Sequence, residues 1–219
     1  MMNDNHVGIT FRETMRGGFS LGDTDPRAGE QKGNSAGTKL SMHATVNIRD
    51  VNRFISERDH AGEITGKIDF APLGDNIPAK AGKFNLFSAT DNPKLKFMIY
   101  ELAFEHAGKD YYLAGKKEVR DDPGIDLWTD TTTLYTQLHE GTNDAGPVVG
   151  AGVLSLGPAD LTKLVLSMRV TNSSSAVEQA KAVADFGRFF MGELWDSYAL
   201  EILTAPWWQR LWRRLFGTG

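Results

Sequence analysis

Histidines and carboxylates carry most metal and acid–base chemistry, so their spacing is read first. The histidines are His6, His43, His60, His106 and His139; none stands at ligand spacing from another, and no HExxH pair occurs. Cysteine is absent, which removes thiolate nucleophiles, disulfides and cysteine metal sites together. "DDPGID" gathers carboxylates without the calcium-loop pattern and reads as a solvated turn. No metal is expected. Nor does the chain carry a GxSxG elbow or a GxGxxG turn followed by an acidic residue about 20 positions on, so no cofactor is expected either.

Two other sets of residues can do chemistry. In "DTTTLYT", Asp130, Thr132 and Leu134 share one strand face with Trp128 and Thr136, while Thr131, Thr133, Tyr135, Gln137 and His139 share the other. The second face is polar and aromatic, a lining for a ligand cavity; a solvent-facing, threonine-rich strand accounts for it more simply. Charges inside strands form the second set. Glu101 and Glu105 fall on the side of Phe97 and Ile99, and Lys117 on the side opposite Lys116, Glu118 and Arg120. Ion pairs on the outside are the cheaper reading, and an inward carboxylate–lysine cluster is the functional one. In "FRETMR", Glu13 and Arg16 read as a pair anchoring the following loop, or as a gate at a cavity mouth.

The elements that must position these residues are mostly strands. "HVGITFRET" ends near Met15, and "RGGFSLGDTDPRAGEQKGNSAGTK" reads as a long loop from its Gly, Asp and Lys content. "LSMHATVNI" alternates with a period of two. Asp50 caps a short helix, "GEITGKIDF" alternates again, and "HAGKD" turns a hairpin. "VVGAGVLSL" ends the strand series, after which the period changes to that of helices in "GPADLTKLVLSMRV" and in the long segment holding Phe186, Phe190 and Leu194. About eight strands with short turns predict a mainly β chain: a closed or nearly closed antiparallel barrel with C-terminal helices. Residues 1–203 form the barrel domain with its covering helices, and 204–219 a separate tail.

In 219 residues, 41% hydrophobic and 24% charged, with a formal net charge of -4, there is room for a full core and little attraction for nucleic acid. The opening "MMNDNHVGIT" lacks the pattern of a secretory signal, and no apolar run approaches the roughly 20 residues of a membrane span. The expected location is cytoplasmic, with peripheral contact at the inner face of the membrane. The tail suggests that contact. After Pro206, Trp208, Leu211, Trp212 and Leu215 fall on one helical stripe, flanked by Trp207 and backed by Arg210, Arg213 and Arg214, with no acidic residue among them. Such a helix suits an anionic lipid surface or a docking groove on a protein.

Taken together, "FRETMRGGF", "KKEVRDDPGIDLWTDTTTLYTQLHEG", "GAGVLSL" and "FGRFFMGELWDSY" resemble an accessory domain carried by some large bacterial flavoproteins of the glucose–methanol–choline oxidoreductase type, related to cholesterol oxidase. The likeness runs from about Phe11 to Tyr198, without the flavin domain, and it brings no catalytic residues to map. It implies work near sterols or other lipids. The resulting expectation is a non-catalytic barrel for an apolar, sterol- or terpenoid-like ligand, lined by Tyr100, Phe104, Trp128, Thr133 and Tyr135 and oriented by His43 or Lys117. Two alternatives remain open. One is a cofactor-free isomerase or cyclase using Glu101, Asp130 and Tyr135; the other is an accessory subunit of a separate flavin oxidase.

Overall fold

The alternation in "LSMHATVNI" turns Leu40, Met42, Ala44, Val46 and Ile48 onto one face, and the computed structural model buries all of them. The structure describes residues 6–92, 95–120 and 132–204. Among these residues nine strands are present: β1 (Gly8–Leu21), β2 (Lys39–Ile48), β3 (Ala61–Phe70), β4 (Gly74–Ala89), β5 (Leu95–His106), β6 (Lys109–Arg120), β7 (Thr133–Glu140), β8 (Val148–Ser155) and the short β9 (Arg169–Thr171). Each of β1 to β7 pairs antiparallel with the next, and β8 pairs back with β1, closing an eight-stranded barrel. Inward side chains meet across it: Phe19 meets Phe70 edge to face at 5.2 Å near one end, and Phe11 meets Phe84 at 6.2 Å toward the other.

Helices α1 (Pro26–Ala36), α2 (Val51–Ser56), α3 (Pro158–Ser167) and α4 (Ala176–Thr204) complete the fold. The first corrects the sequence reading, since β1 continues past Met15 to Leu21 and the supposed loop contains a helix. Asp25 caps it by accepting the Ala28 N–H at 2.8 Å, Pro26 opens it, and Gly37 at φ 71 ends it. Its inner glycines let backbone meet backbone: a Cβ on Gly29 would lie 2.1 Å from the Ala151 oxygen, and one on Gly33 2.2 Å from the Phe19 nitrogen. Glycine here serves close packing on the outer wall of β1 and β8 rather than chain freedom. "RVT" is also corrected, from the end of a helix to strand β9.

Other expectations hold. Asp50 accepts the Arg53 N–H at 3.0 Å at the start of α2. Ala107 at φ 50 and Gly108 at φ 74 make the tight turn between β5 and β6.

The closing seam is uneven. One edge of β1 is shared, with Arg16–Leu21 paired to β8 and Gly8–Thr10 paired to β9. Between them α3 stands in for a strand. Ser167 Oγ accepts the Arg12 N–H at 2.8 Å and lies 3.2 Å from the Arg12 carbonyl oxygen. At one end of the barrel α4 forms an aromatic cap. Phe186 lies 6.3 Å from Phe11 and 6.1 Å from Phe54, and Phe190 lies 5.8 Å from Phe87. A bulge between Asn85 and Ser88 holds Phe87 at φ 53, a conformation a bulky residue rarely adopts. No described helix is long and apolar enough to cross a membrane.

Candidate functional site

Strand alternation decides which charges enter the barrel. On β1, Ile9, Phe11, Glu13 and Met15 share the buried face, so Glu13 points inward while Arg12 and Arg16 point out. On β5 the inward set is Met98, Tyr100, Leu102 and Phe104; on β6 it is Leu113, Gly115, Lys117 and Val119. Glu13, Tyr100 and Lys117 thereby meet in an otherwise apolar interior, 5%, 4% and 2% exposed. Tyr100 and Lys117 are diagonal neighbours, because Tyr100 pairs with Gly115 and Met98 with Lys117. Gly115 has no side chain because Leu134 takes its place: a Cβ there would lie 2.5 Å from Leu134 Cδ2. Glu13 comes from β1, on the opposite wall.

The Tyr100 hydroxyl donates to the Glu13 carboxylate, and Lys117 Nζ lies 5.2 Å from the centre of the Tyr100 ring. Burial dominates the electrostatics. It raises Glu13 above the usual carboxylate range, against the pull of the Lys117 charge and the Tyr100 hydrogen bond. Burial likewise lowers Lys117 to about 8, partly offset by Glu13. Tyr100 is pushed well up by burial and by the neighbouring carboxylate. Burial thus draws the acid and the base toward each other, as in pairs that share or move a proton. One carboxylate oxygen, Glu13 Oε1, is buried without a hydrogen-bond partner. A buried acceptor left unmade costs about 1–3 kcal/mol, so the cluster has capacity for one more donor.

Phe84 lies 5.1 Å from Tyr100 and 6.2 Å from Phe11, which in turn lies 6.3 Å from Phe186. A chain of rings therefore connects the cluster to the α4 cap.

The expected site residues divide three ways. Tyr100, Phe104 and Lys117 are inside, with Phe104 stacked on Tyr111 at 5.4 Å. Thr133, Tyr135, His43 and Glu101 are on the outer face. On β7 the inward positions are Leu134, Thr136 and Leu138, because the leucines bury their side chains there. The polar face with Thr133 and Tyr135 therefore looks out, and Tyr135 Oη accepts from Arg27 of α1 at 3.1 Å. Glu101 accepts from Tyr112 Oη at 2.7 Å, and His43 sits between Thr14 and Asp69. These four do not line the interior, which corrects that expectation. Trp128 and Asp130 lie outside the described residues, as do Trp207, Trp208, Arg210, Trp212, Arg213 and Arg214.

Glu13 was expected to pair with Arg16. Instead Arg16 Nη2 meets Asp160 at 3.2 Å, and Glu13 faces the core. The signal was present in the sequence: Glu13 continues the apolar alternation of Ile9, Phe11 and Met15. No three His, Asp or Glu side chains among the described residues are grouped to hold a metal ion. Comparison with protein-family models, curated proteins and solved structures finds no match.

Proposed function

We propose that the barrel binds an apolar molecule bearing one polar group, which Glu13, Tyr100 and Lys117 receive. The carrying observation is the burial of a lysine and a carboxylate in an apolar interior, where an apolar trio of similar size is often as stable or more so. Such a cluster suits recognition of a hydroxyl, carbonyl or carboxyl group at the end of a hydrocarbon frame. The ring chain from Tyr100 to Phe186 marks the entry route, through displacement of the α4 cap. α4 also leads into the tail, so Trp207, Trp208, Arg210, Trp212, Arg213 and Arg214 are proposed to hold that mouth near an anionic membrane surface or a flavin oxidase partner. The resemblance to the accessory domain of cholesterol-oxidase-like flavoproteins favours a sterol- or terpenoid-like occupant and a cytoplasmic, peripheral location.

The opposed shifts of Glu13 and Lys117 favour one second reading, an isomerase in which the pair moves a proton within the bound molecule.

The test is mass spectrometry of an organic extract of the purified full chain, beside Lys117→Met. Binding predicts a near-stoichiometric apolar compound in the wild type and its loss in the folded variant. An empty extract from protein made in its native cells, or equal loading of the variant, overturns the reading. Conversion of the extracted compound on incubation with fresh protein selects the isomerase.

A further inference from the structure

Three neighbouring strands place a hydroxyl, an imidazole and a carboxylate in line on the outer wall. Thr14 on β1 stands directly opposite His43 on β2, and Asp69 lies one diagonal step further on β3. Thr14 Oγ1 is 3.0 Å from His43 Nδ1, and His43 Nε2 is 2.8 Å from Asp69 Oδ2. Asp69 Oδ1 accepts the Asn76 N–H at 2.7 Å. That backbone hydrogen bond, with the His43 contact, holds the Asp69 carboxyl below its ordinary range against a partial burial penalty. An ionised carboxylate only accepts, so the proton between them sits on His43 Nε2. In the neutral ring, Nδ1 then presents its lone pair to Thr14, and the hydroxyl donates to it. Nucleophile, base and orienting group are in hydrogen-bond sequence.

A cross-strand polar ladder needs no recess, yet one adjoins Thr14. Thr14 lines a recess of about 240 Å³ between β1 and α3, together with Arg12, Glu13, Asp160, Lys163 and Ser167. Arg12 and Lys163 bring positive charge to it, and Asp160, which Lys163 meets at 2.9 Å, brings one negative charge. This is also the stretch of β1 between its β8 and β9 pairings, where α3 replaces a strand. Arg12 sends its N–H to that side, and strand alternation sends the Thr14 N–H the same way. A backbone donor, the Thr14 N–H, thus faces the recess.

We propose that Thr14, His43 and Asp69 form an acyl-transfer site that hydrolyses a small ester carrying a negative charge, with Arg12 and Lys163 holding that charge. Thr14 Oγ1 bonds to the acyl carbon while His43 Nδ1 takes its proton. The ester C–O bond breaks, and the leaving alcohol takes that proton. Water then adds to the acyl carbon, giving up a proton to His43, and the acid departs as Thr14 regains its hydrogen. Asp69 is a positioning residue. Glu13 borders this recess too, but the hydroxyl, imidazole and carboxylate of the site are none of the interior cluster's side chains.

The full chain is incubated with p-nitrophenyl acetate and with the mono-p-nitrophenyl ester of succinic acid, and acylated peptides are mapped by mass spectrometry. The proposal expects faster release from the anionic ester and an acyl group on Thr14. Thr14→Ser retains turnover, whereas Thr14→Val loses it roughly a hundredfold, the usual scale of a lost acid–base step. Asp69→Asn lowers kcat and leaves KM unchanged. Acylation confined to lysines overturns the proposal, as does equal hydrolysis by the wild type and a folded Thr14→Val. The adduct map on the wild-type chain decides the matter even if Thr14→Val does not fold.

Discussion

Lys117 and Glu13 make the interior cluster a matter of single side chains. Removing one partner strands the other charge in an apolar core, at about 3–5 kcal/mol. Lys117→Met should therefore lose about 3 kcal/mol at pH 7 by urea denaturation, and adding Glu13→Gln should restore most of it. Additive losses would mean that the two side chains do not interact. The pH dependence follows from the shifts. Glu13 is raised, so its contribution is full below the ordinary carboxylate value of 4.5 and is lost as pH rises through its folded value. Lys117 falls from 10.5 to about 8, so its contribution is full above 10.5 and is lost as pH falls through 8. Stability of the wild type minus that of the double variant should therefore dip around neutrality and recover toward both extremes. The inward turn of Glu13 and Lys117 was legible, because each continues an apolar alternation. The outward turn of Thr133 and Tyr135 was harder to read, because a threonine-rich strand offers two faces of nearly equal polarity and only packing chooses between them.

At the scale of elements, α1 tests how composition misleads. Its glycines resemble loop chemistry, and no apolar stripe announces a helix; its contacts are backbone against backbone. Gly33→Ala forces the methyl into the Phe19 amide, so a loss of about 2–4 kcal/mol is expected, within the range of overpacked sites. Thermal unfolding measures it, with the exposed Gly22→Ala as the control for glycine at positive φ in open space. An equal effect at both positions would remove the packing argument. By contrast, the β5–β6 hairpin and α2 were legible, since turn glycine and the Asp50 cap act on adjacent residues. β9 was not, because three residues acquire strand character only from the partner edge at Gly8–Thr10.

Across the whole molecule, the barrel class followed from the strand count and spacing, whereas the seam did not. Closure joins the first strand to the eighth, 133 positions apart at the Phe19–Gly152 pair. Contacts of that separation slow folding, so refolding from urea, followed by far-ultraviolet circular dichroism, should take milliseconds to seconds. Microsecond folding would show that closure is not the limiting step. The shared edge of β1 also bears on synthesis. The ribosome releases β1 first, and β2 soon covers one side of it. The other side waits for more than a hundred further residues, through every intermediate strand, with its backbone donors and acceptors open to any passing chain. For the nascent protein, the interval before β8 arrives is the period of greatest exposure to aggregation, and the one in which a chaperone has most to protect.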